Sequence, residues 1–351
     1  MRSMGSGRAR VAVFGASGYS GAELLRLLAA HPGAEVTAVT AGERAGQRIG
    51  DVYPHLAPFA GIELEPVHTD VAGRADLAFL ALPHGESSSV APSLLDAGLR
   101  VIDLAGDFRL PAEAYPYWYG FDHPAPEWLG KAVYGLPELF GKEIAAADLV
   151  ANPGCYPTAA ALALAPLLRA GAIDSTGILI DAKSGVSGAG AKPSATVHYA
   201  HTEGSVRPYK VGTHQHTPEI ELVLDRASGA ATSVTFVPHL VPAVRGVLVT
   251  CYARVAGDHD LLALHAVLAD SYAHAPFVRT LDADDMPDAK RVTGANVCEV
   301  GVGLDTRTGT AVIAAAVDNL VKGAAGQAIQ NMNLMLEFDE TTALPTIGLY
   351  P

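Results

Sequence analysis

The chain has 351 residues, 49% apolar and 17% charged, enough to bury cores in two domains, which excludes a disordered protein. A formal net charge of −13 argues against a general nucleic-acid binder, because nothing would neutralise phosphates along a groove, yet it leaves room for a basic pocket around a small anion. The basic opening MRSMGSGRAR meets an apolar run too short for a signal-peptide core, and no later stretch approaches a spanning helix. The first nine residues therefore read as a loose tail, and neither membrane nor nucleic acid is an expected partner.

From residue 10 to 150 short apolar strands alternate with helical stretches. RVAVFGA precedes the helix GAELLRLLAAH and the strand EVTAVTA; ADLAFLALP precedes a helix through SSSVAPSLLDAG and the strand RVIDLAG. Strands apolar on both faces and separated by helices predict an α/β, doubly wound parallel sheet of Rossmann type. Its first strand-to-helix turn holds Gly15, Ala16, Ser17, Gly18, Tyr19 and Ser20, followed by Gly21. In this reading Gly15 permits the tight turn, Gly18 lets backbone approach a pyrophosphate, and Gly21 brings helix and strand together. Thr40 ends the second strand where an acid would select NAD, and Arg44 follows, with Arg48 behind it. A 2′-phosphate is not repelled there and Arg44 can pair with it, which points to NADP. The alternative leaves these arginines in a solvated loop. Pro83 and His84, in ALPHGESS, close a strand end of the kind that faces a cofactor.

The segment ANPGCYPTAA follows. Asn152, Pro153 and Gly154 predict a turn, and Pro157 is tolerated in a helix's first turn, so Cys155 falls at a helix N-terminus where the dipole favours thiolate. The bland alternative is a small buried residue at a helix start. The other two cysteines behave that way: Cys251 is in phase with Val247, Val249 and Ala253, and Cys298 with Val300, Val302 and Leu304. Three cysteines without ligand spacing suit a reduced, cytoplasmic protein.

Beyond the helix CYPTAAALALAPLLRAG the strands lengthen, in SVTFVPHLVPAVRGVLVTCYARV and NVCEVGVGLDTRTGTAVIAAAV, with TRTGT as a hairpin turn and HDLLALHAVLADSYA as a helix. This predicts a second, α+β domain with a mixed or antiparallel sheet over 155–318. The helical end DNLVKGAAGQAIQNMNLML returns to the first domain, so that 1–154 is completed by 319–351.

The glycine turn, NPGCYPT, KSGVSGAG at 183–190, GTHQHTPE at 212–219 and DNLVKGAAGQAIQNMN at 318–333 occur in one order. Together they resemble the N-acetyl-gamma-glutamyl-phosphate reductases of arginine biosynthesis over nearly the whole chain. The resemblance implies that the Cys155 thiolate displaces phosphate from an acyl phosphate, and that hydride from NADPH reduces the resulting thioester to an aldehyde. It further implies His214 as the base with His216 close by, and Arg109 as first candidate for the substrate anion, ahead of Arg245 and Lys183. Each of these cations could equally belong to a structural ion pair. Ser184, Gly185 and Gly188 would form a loop near the nicotinamide, and Asn319 would hold its carboxamide. His214 and His216 could instead bind a metal, but no third ligand follows at recognisable spacing, so none is expected. A homo-oligomer, dimer or tetramer, is expected through the second domain. An aspartate-semialdehyde dehydrogenase is the enzymatic alternative, and a non-enzymatic NADP sensor the alternative from another class.

Overall fold

The computed structural model describes residues 7–68 and 70–350; the first six residues of the expected tail lie outside them, and strand structure already begins at Ala9. The described chain divides into two compact units, 1–153 with 324–344, and 154–323 with 345–351.

The first unit is built on β1 (Ala9–Phe14), β2 (Ala34–Ala41), β3 (Glu65–Pro66), β4 (Leu77–Leu80), β5 (Arg100–Asp103), β6 (Val133–Tyr134) and β7 (Leu149–Ala151). All pair in parallel, in the order β3-β2-β1-β4-β5-β7-β6. The central strands are buried on both faces because helices Tyr19–Leu28 and Ser87–Asp96 return the chain between them. This is the doubly wound sheet read from the alternation. Helix Gly326–Met335 belongs to the same unit and is nearly all buried despite its amides. Most of them are bonded: Asn331 Nδ2 donates to Gly135 O and Asn152 Oδ1, and Asn333 Oδ1 meets His31 Nε2, whereas neither side-chain polar atom of Gln327 has a partner.

The second unit holds a mixed sheet of β8 (Ile178–Ser184), β9 (Arg207–Pro208), β10 (Val234–Leu240), β11 (Val247–Arg254), β12 (Val278–Thr280), β13 (Cys298–Asp305) and β14 (Thr310–Val317), in the order β12-β13-β14-β11-β8-β10-β9. β13 and β14 form the hairpin expected around TRTGT, with Asp305 opposite Thr310 and Gly309 at φ +66°. Helix Cys155–Arg169 packs across β11 and β14; its Ala and Leu residues bury every face, as an all-round apolar helix must. Two stretches expected with the first unit lie in the second. Residues 319–323 stay beside Asp318, whose Oδ1 accepts the Leu320 N–H, and 345–350 is tied by Leu349 N to Thr293 O and by Asn296 N to Pro345 O. Among the described residues no helix is long and apolar enough to cross a membrane.

Candidate active site

In the first unit, the turn after β1 has the geometry of an anion cradle. Gly15 lies at φ +79°, and a Cβ there would come within 2.2 Å of Ala81 O. A Cβ at Gly21 would lie 2.4 Å from Gly15 O, so that glycine lets the helix start close to the turn. Gly18, which precedes helix Tyr19–Leu28, meets nothing nearer than Gly15 O at 3.5 Å and leaves open backbone at the helix N-terminus. Gly15 N and Ala16 N donate to Thr40 O, and Tyr53 Oη donates to Ser17 O, which fix the turn from both sides. These residues fit a dinucleotide pyrophosphate. Thr40 is buried, its Oγ1 without a hydrogen-bond partner, whereas Arg44 is exposed. Pro83 and His84 are exposed just beyond β4, where His84 Nδ1 accepts the Gly106 N–H.

Arg109 is buried in the same unit. Its Nε donates to Asn152 O at 2.8 Å and one terminal nitrogen to Leu104 O at 2.9 Å, so the guanidinium braces the segment leading to the cysteine.

In the second unit Cys155 is the first residue of its helix, half-buried, with Gly154 as N-cap; Cys251 and Cys298 are fully buried on strands, and burial pushes the Cys251 thiol up. Two glycines make room around Cys155. A Cβ at Gly323 would lie 2.8 Å from Cys155 Cβ, and one at Gly154 would lie 2.4 Å from His216 Nε2. His216 thus stands against the residue before the thiol. The buried Glu219 carboxylate, one helical turn further, accepts the Gly154 N–H at 2.8 Å. His214 accepts the His216 backbone N–H at Nδ1, 3.1 Å away, and the two rings are 4.7 Å apart. Tyr156, Tyr209 and Phe236 pack edge-on around them, with the Tyr156 and Tyr209 hydroxyls 3.2 Å apart. Burial, partly opposed by the hydrogen bond with Tyr156, pushes Tyr209 up to about 12, and burial raises Tyr156 as well, so both tyrosines stay protonated.

The remaining expected residues are tied up locally. Asn319 Oδ1 accepts the Gly246 N–H and its Nδ2 donates to Ser187 Oγ, which binds the 184–190 loop to the 241–246 loop. A Cβ at Gly185 would lie 2.7 Å from Val244 O, and one at Gly188 would lie 3.2 Å from Ser184 Oγ. Arg245 pairs with the buried Asp318 at 3.4 Å. Lys183 pairs with Asp181 at 2.6 Å, and both share the sheet face of the exposed Leu179, opposite Ile180, Ala182 and the cysteine helix. That placement turns Lys183 away from Cys155. Sequence reasoning missed Glu219, Tyr156 and Tyr209. Glu219 was detectable: it stands three residues after His216 on one helix, hence on the same face. Tyr209 gave no such signal, since the stretch before it has no periodicity.

The chain matches the family described as semialdehyde dehydrogenase, NAD binding domain, over residues 10–147, and semialdehyde dehydrogenase, dimerisation domain, over 155–319. It is 48% identical over 344 residues to the N-acetyl-gamma-glutamyl-phosphate reductase of Desulforudis audaxviator, covering 97% of this chain and 99% of that one. The Brevibacillus brevis reductase is 46% identical with the same coverage. Among solved structures, aspartate semialdehyde dehydrogenase II of Vibrio cholerae shares the fold at TM-score 0.73 and 18% identity, over 95% of this chain and 99% of that one. The Candida albicans aspartate semialdehyde dehydrogenase with NADP gives 0.70 and 18%, over 94% and 98%.

Proposed function

The chain belongs to the N-acetyl-gamma-glutamyl-phosphate reductase family, oxidoreductases of arginine biosynthesis, and from that membership we propose that it reduces N-acetyl-gamma-glutamyl phosphate to N-acetylglutamate 5-semialdehyde through a thioester on Cys155. The observation that carries this reading is a half-buried cysteine at a helix N-terminus with an imidazole nitrogen packed against the residue before it.

Cys155 Sγ bonds to the acyl carbon, the carbon–oxygen bond to phosphate breaks, and the thiol proton passes to a base. His216 suits that role because its Nε2 lies against Gly154, the residue before the thiol, with Glu219 one turn away to balance the imidazolium charge. His214 suits a different one. Accepting an N–H at Nδ1 assigns the neutral ring's proton to Nε2, making it a donor for the acyl oxygen rather than a base. The proposal therefore exchanges the two roles expected from the resemblance. A bound nicotinamide cofactor would supply the hydride that converts the thioester to the oxyanion of a thiohemiacetal, whose collapse re-forms the carbonyl. His216 then returns its proton to sulfur as the carbon–sulfur bond breaks and the semialdehyde leaves. We assign the Gly15–Ser20 turn to the cofactor pyrophosphate and Arg44 to the 2′-phosphate of NADP, the absence of an acid at Thr40 supporting NADP over NAD. Arg109 is assigned to the phosphate group.

Run in reverse, the enzyme should form NADPH from N-acetylglutamate semialdehyde and NADP only when phosphate or arsenate is present to release the thioester. Cys155→Ser should abolish turnover. Phosphate-independent oxidation, or better turnover of aspartate semialdehyde, would overturn the assignment.

A further inference from the structure

The proposed substrate has a second anion, the α-carboxylate at the far end of its acyl chain, which needs its own cation. Arg245 and Lys183 already pair with Asp318 and Asp181, and Arg109 is assigned above to the other anion, the phosphate. Lys210 differs from all three. It is exposed, its Nζ donates to the neutral Gln215 Oε1 at 3.3 Å, and no carboxylate pairs with it among the described residues. Its backbone lies at φ +45°, a left-handed conformation that a non-glycine residue rarely adopts. The turn that holds it there is closed by Thr213 N donating to Lys210 O, with Gly212 at φ +72°.

Its neighbours place it at the rim of the cysteine site. Tyr209, one residue before, is anchored by its N–H on Pro238 O and meets the Tyr156 hydroxyl with its own, while Tyr156 directly follows Cys155. Gln215, its hydrogen-bond partner, stands between His214 and His216. The surrounding segment 189–212 carries Lys192, Arg207 and Lys210 against Glu203 as its one acid, a positive stretch in a chain of net charge −13.

We propose that Lys210 receives the α-carboxylate of the substrate, an assignment resting on the reading that Cys155 carries the N-acetylglutamyl acyl group. Phosphate enters and leaves at the acyl carbon, so its cation must stand near Sγ. An ammonium on a long flexible stem, beyond the tyrosine pair, matches the opposite end of the acyl chain. The lysine gives up a neutral partner for a charged one when substrate arrives, so the contact costs no existing ion pair.

The test compares N-acetylglutamate semialdehyde with its α-carboxamide analogue in the reverse reaction, at saturating NADP, for wild type, Lys210→Met and Lys210→Arg. Wild type should prefer the carboxylate. Lys210→Met should raise the KM for the carboxylate about tenfold, the loss of one charge-assisted contact, and abolish the preference. Its KM for the carboxamide and for phosphate should stay near wild type, and Lys210→Arg should restore most of the preference. A Met variant that keeps the carboxylate preference would overturn the assignment. So would a rise in the KM for phosphate alone, which would move Lys210 to the other anion. Wild type inactive on both compounds would instead sink the reaction itself, and the lysine's role with it.

Discussion

Asp103 ends β5 with no exposed surface, and its carboxyl is pushed up to about 7, first by burial and then by the neighbouring Asp107, against the opposing pull of Arg109. The sign follows from linkage. In the unfolded chain the group titrates near the ordinary 3.8, so between that value and about 7 the folded state binds the extra proton. Stability should fall as pH rises through this window and level off above it, by an amount on the order of a few kcal/mol. Asp103→Asn keeps an oxygen for the Ala105 N–H and removes the titration. Its melting temperature should thus decline less between pH 5 and pH 8 than that of wild type. Equal declines would place the pH dependence elsewhere. At this scale the sequence was most readable where one residue type breaks a pattern: Cys155 stands outside the alternation that buries Cys251 and Cys298, and the structure keeps that contrast. It was least readable where burial decides, as for Asp103, because a strand-end aspartate looks the same in sequence whether solvated or enclosed.

The cysteine helix was legible as an element, since a run of Ala and Leu behind Pro157 has one stable interpretation. What the run did not disclose is how tightly its first turn is packed. Gly154 has φ −71° and ψ 158°, which any residue can adopt, so its lack of a side chain serves space rather than backbone freedom. Gly154→Ala would drive a Cβ to within 2.4 Å of His216 Nε2. We expect the imidazole to be displaced and kcat/KM to fall on the order of a hundredfold, the usual effect of misplacing a catalytic group by about 1 Å. Thermal stability should change little, because the helix itself tolerates alanine. A variant with full activity would remove His216 from the proton transfer. The 189–212 segment was the opposite case: its short turns of helix carry no apolar period, so Tyr209 could not be placed against Tyr156, nor Lys210 against Gln215, beforehand.

For the whole molecule, strand alternation in the first half and longer paired strands in the second yielded the two sheets, because each period reports which faces are buried. On the side of the second sheet away from the cysteine helix, Leu179 of β8, Tyr252 of β11 and Val312 of β14 are direct cross-strand neighbours, forming an apolar row, and Leu179 is 49% exposed. A row of this kind on a sheet matched as a dimerisation domain fits a two-fold interface, in which the same row meets itself. Wild type should therefore sediment as a homo-oligomer at micromolar concentration, with a melting temperature that rises with protein concentration. Tyr252→Glu would place a charge in the centre of that row, and burying it against its own copy would cost several kcal/mol. The variant should sediment as a monomer and lose the concentration dependence. A wild-type monomer, or a Tyr252→Glu oligomer of unchanged mass, would mean that this face of the sheet is simply solvated and that association, if any, uses another surface.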